Sequence, residues 1–127
     1  MASELRVNTL KDASGNNSVA TSTVAQGSAK AWADVDMTGT ATLDDSFNIS
    51  GLTDNGTGDF TLAIDSDMAS ANYCVSVAYN TQSANKADLK VDDESNKTSS
   101  SIEMRKMEDG SATDADVNLV TIHGDLA

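Results

Sequence analysis

The sequence predicts an all-β fold: an antiparallel β-sandwich or jelly-roll-like domain (residues 29–127) preceded by an extended N-terminal arm (residues 1–28). Two observations carry this. Short apolar alternations of period two recur along the chain, and clusters of Ser, Thr, Asn, Asp and Gly separate them. Proline is absent, so its ring sets none of these breaks; the small polar residues make the turns.

In the arm, Leu5, Val7 and Thr9 alternate with Glu4, Arg6 and Asn8, the pattern of one short strand. The run Lys11 to Ser18 holds no apolar residue larger than Ala13, and Val19 to Gly27 is small and Thr/Ser-rich. Such a segment buries too little apolar surface to fold alone, so it is expected to order by docking on something else.

From Lys30 the signals become regular. Ala31, Ala33, Val35 and Met37 alternate with Trp32, Asp34 and Asp36, and Phe47 and Ile49 read together as one strand. The run Asp54-Asn55-Gly56-Thr57-Gly58-Asp59 supplies glycines for positive φ and predicts a turn into Phe60, Leu62 and Ile64. Asp65 to Ala71 reads as one helical turn. Tyr73, Val75, Val77 and Tyr79 alternate with Cys74, Ser76 and Ala78 in the clearest strand of the chain. Leu89 with Val91, Ile102 with Met104, and Val117 to Ile122 mark the rest. Asp92 to Ser101, charged and Ser-rich, reads as a long exposed loop. About seven strands joined by polar turns fit a sandwich.

The 127 residues suit one domain. Only 4% are aromatic, namely Trp32, Phe47, Phe60, Tyr73 and Tyr79, against an apolar share of 39%. The core is therefore expected to be thin and built from Val, Leu, Ile, Met and Ala, with further apolar surface buried against copies of the chain or a neighbour. Eight basic and 20 acidic residues leave a formal charge of −12. That charge repels phosphate backbones and argues against nucleic-acid binding. No apolar run approaches the roughly 18 residues of a membrane span, and Met1 to Arg6 lacks the features of a signal peptide. The expectation is a protein made soluble that reaches its destination by assembly.

The same residues predict no catalytic, cofactor-binding or metal-binding site. The one histidine, His123, lies near the C-terminus, no Gly-x-Ser-x-Gly elbow occurs, and Cys74 sits in an apolar run, where a buried, inert thiol is expected. One Cys and one His cannot make a zinc site. Asp54 to Asp59 lacks the alternating oxygen ligands of a calcium loop. Asp12, Ser14 and Asn16 alternate better, but Thr23 stands where the twelfth-position Glu belongs. The pairs Asp44-Asp45 and Asp92-Asp93-Glu94 read as solvated turns, since glycosidase carboxylates line aromatic-rich clefts. Gly56-Thr57-Gly58 lacks the Lys and the helix of a phosphate loop.

Two stretches resemble a known family. Ser3-Glu4-Leu5-Arg6-Val7-Asn8-Thr9-Leu10-Lys11-Asp12-Ala13-Ser14-Gly15-Asn16 is similar to an opening of fibre-type virion proteins of tailed bacteriophages, in particular marine or cyanophage-like tail fibres and short surface fibres. Gly27 to Val35, with Lys30-Ala31-Trp32, then Asp45 to Leu62, with Ser46-Phe47-Asn48 and Asp54-Asn55-Gly56-Thr57-Gly58-Asp59-Phe60, resemble the signature that follows it. Met68-Ala69-Ser70-Ala71-Asn72-Tyr73-Cys74-Val75 answers the next segment. The match runs from Ser3 to Tyr79.

The resemblance implies a virion structural protein, a homotrimeric β domain on the outside of the particle, with no catalytic residues to transfer. Residues 1–28 would attach to tail, baseplate or major capsid protein. Asp92 to Ser101 and Lys106 to Asp116 would be the distal loops facing a host surface glycan or protein. Alternatives are a capsid decoration (cement) protein and, outside virions, a carbohydrate-binding or adhesin module. A glycan-cleaving tailspike is disfavoured by the scarcity of aromatics.

Overall fold

The computed structural model describes residues 3–80 and 86–127. It is the predicted antiparallel β-sandwich. One sheet has the order β4-β3-β11-β7, from β3 (Ala31–Asp36), β4 (Thr42–Phe47), β7 (Cys74–Tyr79) and β11 (Asn118–His123). The other has the order β8-β9-β6-β5, from β5 (Ile49–Gly56), β6 (Asp59–Ile64), β8 (Ala87–Val91) and β9 (Ser101–Glu108). The two-residue β10 (Ser111–Ala112) also pairs with β9. All pairings are antiparallel.

Period-two alternation builds the core directly. Ala31, Ala33 and Val35 of β3 point inward, as do Phe60, Leu62 and Ile64 of β6, Ile102 and Met104 of β9, and Val120 and Ile122 of β11. Met37, Met68, Tyr73 and Leu89 complete the cluster. Phe60 and Tyr73 are its only buried aromatics among the described residues, so the core is the thin aliphatic one expected.

Several expectations are corrected. Phe47 and Ile49 do not share a strand. Asn48, at φ 55°, ends β4 and begins β5, passing the chain from one sheet to the other. Asparagine tolerates this left-handed geometry, and its side chain fixes the corner: Nδ2 donates to the Lys30 and Ser66 carbonyls, and Oδ1 accepts from the Ser66 amide. Phe47 is consequently left 53% exposed while Ile49 packs on the core.

Asp65 to Ala71 is not helical. The Asp65 amide donates to Asn48 and that of Met68 to Ser99, partners outside the segment that remove the helical ladder. Met68 also bridges Leu126, which ties the C-terminal tail beneath the core. The exposed loop expected over Asp92 to Ser101 holds a 3₁₀ turn, Glu94–Asn96, capped by Asp93. It folds back so that Lys97 lies over the Tyr73 ring. The Lys106 to Asp116 segment is no free loop either, because Lys106 is wholly buried in β9.

The arm also departs from expectation. Its strand is Thr9–Leu10 (β1), not Leu5 to Thr9, and pairs with Val19–Ala20 (β2), after which Thr21–Gly27 forms helix α1. The connecting turn is organised by Asp12, whose carboxylate accepts from the amides of Ser14 and Asn16 and from Asn17 Nδ2. Such Asx turns compete with extended structure. No described residue of the arm is buried.

Candidate functional site

The side chains that β6 and β9 turn away from the core gather charge. Register pairs Asp59 with Arg105 and Thr61 with Glu103, and the segment leaving β8 brings Asp92 alongside. Carboxylate oxygens of Asp59, Asp92 and Glu103 lie within 4.8 Å of one another. Arg105 is threaded among them: Nη2 stands 2.7 Å from Asp59 Oδ2, and Nε donates to Asp92 Oδ1. Asn55 Nδ2 extends the network to Thr61 Oγ1 at 2.9 Å and Asp59 Oδ1 at 3.2 Å.

The electrostatics follow from this crowding. Partial desolvation, and then the neighbouring carboxylates of Asp59 and Asp92, push Glu103 above the usual carboxylate range, opposed by Arg105. The Asp92 contact, and the surrounding negative charge, raise Arg105 further. Three carboxylate oxygens at this spacing are the raw material of a hard-cation site. In this chain the guanidinium already supplies the positive charge, bonded to two of the three carboxylates. The arrangement therefore knits the outer face of one sheet together, and Glu103 is its proton-accepting member.

The sequence pattern places Asp59 in a turn and Asp92 in a solvated run, and does not single out Glu103 or Arg105. Asp59 opens β6, and the Asp92 side chain is 23% exposed, bonded to Arg105. Asp59 and Glu103 are 44 positions apart in sequence, and only the β6–β9 register joins them. The Glu-x-Arg spacing of Glu103 and Arg105, on one face of a strand, was the local signal available.

The opposite sheet presents a different outer face. Cys74 lies there and is exposed, not buried, because period two puts it on the side of β7 away from Val75. His123 is its register partner on β11 and is half-buried. On the same face Trp32 stands opposite Phe47, and Asp34 opposite Asp45. Asp44 and Asp45 are exposed, but they lie within strand β4 and not in the solvated turn expected.

These features define a small antiparallel β-sandwich with a separately structured arm. Comparison with protein-family models, with curated proteins and with solved structures gives no match.

Proposed function

We propose that this chain is a non-catalytic virion structural protein of a tailed bacteriophage. In this reading it is a short fibre-type β domain, displayed on the particle surface as a homotrimer and attached through residues 1–28. The observation that carries the proposal is the arm. It holds four exposed apolar side chains, with Leu5 80% exposed beside Val7, Leu10 and Val24, and buries none of its described residues against the sandwich. A segment that exposes these apolar side chains and buries none has no core of its own, which supports a role in docking on another protein. The resemblance of Ser3 to Tyr79 to fibre proteins supports tail, baseplate or major capsid protein as that partner. A host surface glycan or protein would be the distal contact.

The test is incorporation. Full-length chain and a variant lacking residues 1–28 are offered to particles, and bound copies are counted and located by cryo-electron microscopy. A few copies at the tail, lost on removal of the arm, support the fibre reading. Hundreds of copies on the head make the chain a decoration protein that cements capsomers. Absence from particles rejects a virion role.

A further inference from the structure

We propose that the outer face of the β4-β3-β11-β7 sheet docks an arginine-bearing segment of a partner protein, with the guanidinium seated between Trp32 and the Asp34–Asp45 pair. The inference is independent of the virion reading and concerns a different surface from the arm.

Four side chains form a rectangle on this face. Trp32 and Asp34 are two apart on β3, hence on one side and about 7 Å apart along the strand. Across the ladder Trp32 faces Phe47 and Asp34 faces Asp45, at a separation of about 5 Å between Cβ atoms. On the other flank of β3, Leu119 stands opposite Asp34 and Thr121 opposite Trp32. Trp32, Asp34, Asp45, Leu119 and Thr121 line a shallow depression of about 300 Å³.

The charge of this face is what selects the occupant. Like charges directly opposite one another on a sheet are destabilising, yet among the described residues neither Asp34 nor Asp45 has an ion-pair partner. One oxygen of Asp34 is covered by its surroundings and accepts no hydrogen bond from a described residue. Of the rings beside the pair, Phe47 is 53% exposed and Trp32 is half-buried. A planar cation would offset the charge of this pair and meet the exposed ring. Arginine stacks on an aromatic face, forks onto carboxylates, and lays its methylene stem along apolar surface such as Leu119. A second copy of this chain is a poor occupant of this face, because its two arginines are already paired, Arg6 with Glu4 and Arg105 with Asp59 and Asp92.

Trp32 is the only tryptophan, so its fluorescence reports the depression directly. The full chain is titrated with a short Gly-Arg repeat peptide and with the same peptide carrying citrulline in place of arginine. The expected result is a saturable Trp32 change with the arginine peptide, at least about tenfold weaker with citrulline and with Asp34→Asn/Asp45→Asn. Asp65→Asn/Asp67→Asn removes the same charge from an exposed loop elsewhere and should leave affinity within about twofold. Any of three results overturns the proposal: no saturable change, equal binding of the citrulline peptide, or equal weakening by the loop variant, which would reduce the effect to net charge. Tighter Trp32 binding of neutral disaccharides than of the arginine peptide also overturns it and makes the face a saccharide platform. Asp34→Asn/Asp45→Asn relieves a repulsion and keeps an amide oxygen that can accept from the Ser46 amide as Asp45 Oδ1 does, so it is expected to fold, and its thermal melt verifies that.

Discussion

Lys106 and Glu108 form an ion pair inside the sandwich, Nζ to Oε1 at 2.8 Å, although they are only two residues apart on one strand. Both project from the inner face of β9, where Lys106 is wholly buried and the Glu108 side chain is 10% exposed. The ammonium also lies 5.0 Å from the centre of the Tyr79 ring, on the facing sheet. Tyr79 in turn donates from its hydroxyl to the Ala87 carbonyl at the start of β8. The pair thus replaces aliphatic packing at one end of a thin core and links the two sheets there.

Removing one partner of a buried pair leaves the other charge uncompensated. Lys106→Met should destabilise the protein by about 2–4 kcal/mol, whereas Lys106→Met/Glu108→Gln should recover most of that loss. Urea unfolding of the two single variants and the double variant measures the coupling. Additive losses would mean that the ammonium is held by the Tyr79 ring and not by Glu108.

The turn into β6 depends on Gly58. Its φ is +67°, and a Cβ there would stand 2.5 Å from the Lys106 carbonyl oxygen and 2.7 Å from the Thr113 amide nitrogen. Both are backbone atoms fixed by pairing, since Lys106 N donates to Gly58 O and Thr113 N to Lys106 O. Gly58→Ala should cost at least about 2 kcal/mol from the left-handed backbone and the clash together. Gly39→Ala, at a closely similar φ of +70° but with open space around it, should cost only the backbone part, about 1 kcal/mol. Equal losses in chemical denaturation would remove the close-approach argument.

How much of this was legible follows from the range over which each signal acts. The inward residues of β3, β6 and β9 could be read because period two is local and their faces are buried without exception from Ala31 to Val35, Phe60 to Ile64 and Ile102 to Met104. The Asp54 to Asp59 turn was legible for the same reason, its glycines sitting where φ must be positive. Asn48 was not, because Phe47-Asn48-Ile49 satisfies the strand pattern and only the departure into a second sheet breaks it. Lys106 hid as a polar residue in an apolar phase, between Met104 and Glu108, where its burial rests on a partner two residues away. The Asp59, Asp92, Glu103 and Arg105 cluster needed register that no local pattern encodes.

Tyr73 sets an alkaline limit. Its hydroxyl donates to the carbonyls of Thr98 and Ser101 at 2.9 and 3.2 Å, and burial, with a smaller contribution from Glu94, pushes its pKa up to about 12. The folded state therefore holds this proton more tightly than the unfolded chain, whose tyrosine titrates near pH 10. The resulting stability is complete below about pH 10 and is lost as pH rises toward about 12. Tyr73→Phe should be less stable at neutral pH by about 1 kcal/mol for the lost hydrogen bonds. Its stability should fall less steeply between pH 10 and 12. Parallel slopes for the two proteins in pH-dependent thermal melts would sink the assignment.

Glu103 gives the opposite-looking but consistent behaviour at the acid end. Its folded-state pKa is raised, first by desolvation and then by Asp59 and Asp92, so folding favours its protonated form. That contribution is present below the unfolded glutamate pKa, near 4.3, and disappears as pH climbs through the raised value. Asp36 and Asp93 run the other way. Each is lowered by hydrogen bonds from a neighbouring hydroxyl and amide, Thr38 and Ser95 respectively, so their contribution holds at neutral pH and is lost on acidification. Glu103→Gln keeps an oxygen that can accept from Asn55 while removing the charge that Asp59 and Asp92 oppose. It should melt at a higher temperature than the parent at pH 7, with the gap closing as pH falls below the parent's Glu103 pKa. Asp93→Asn should instead lower the melting temperature at pH 7 and converge with the parent in acid. If Glu103→Gln melted lower than the parent at pH 7, the carboxylate would be a net stabilising partner of Arg105, and the direction assigned to its pKa would be wrong.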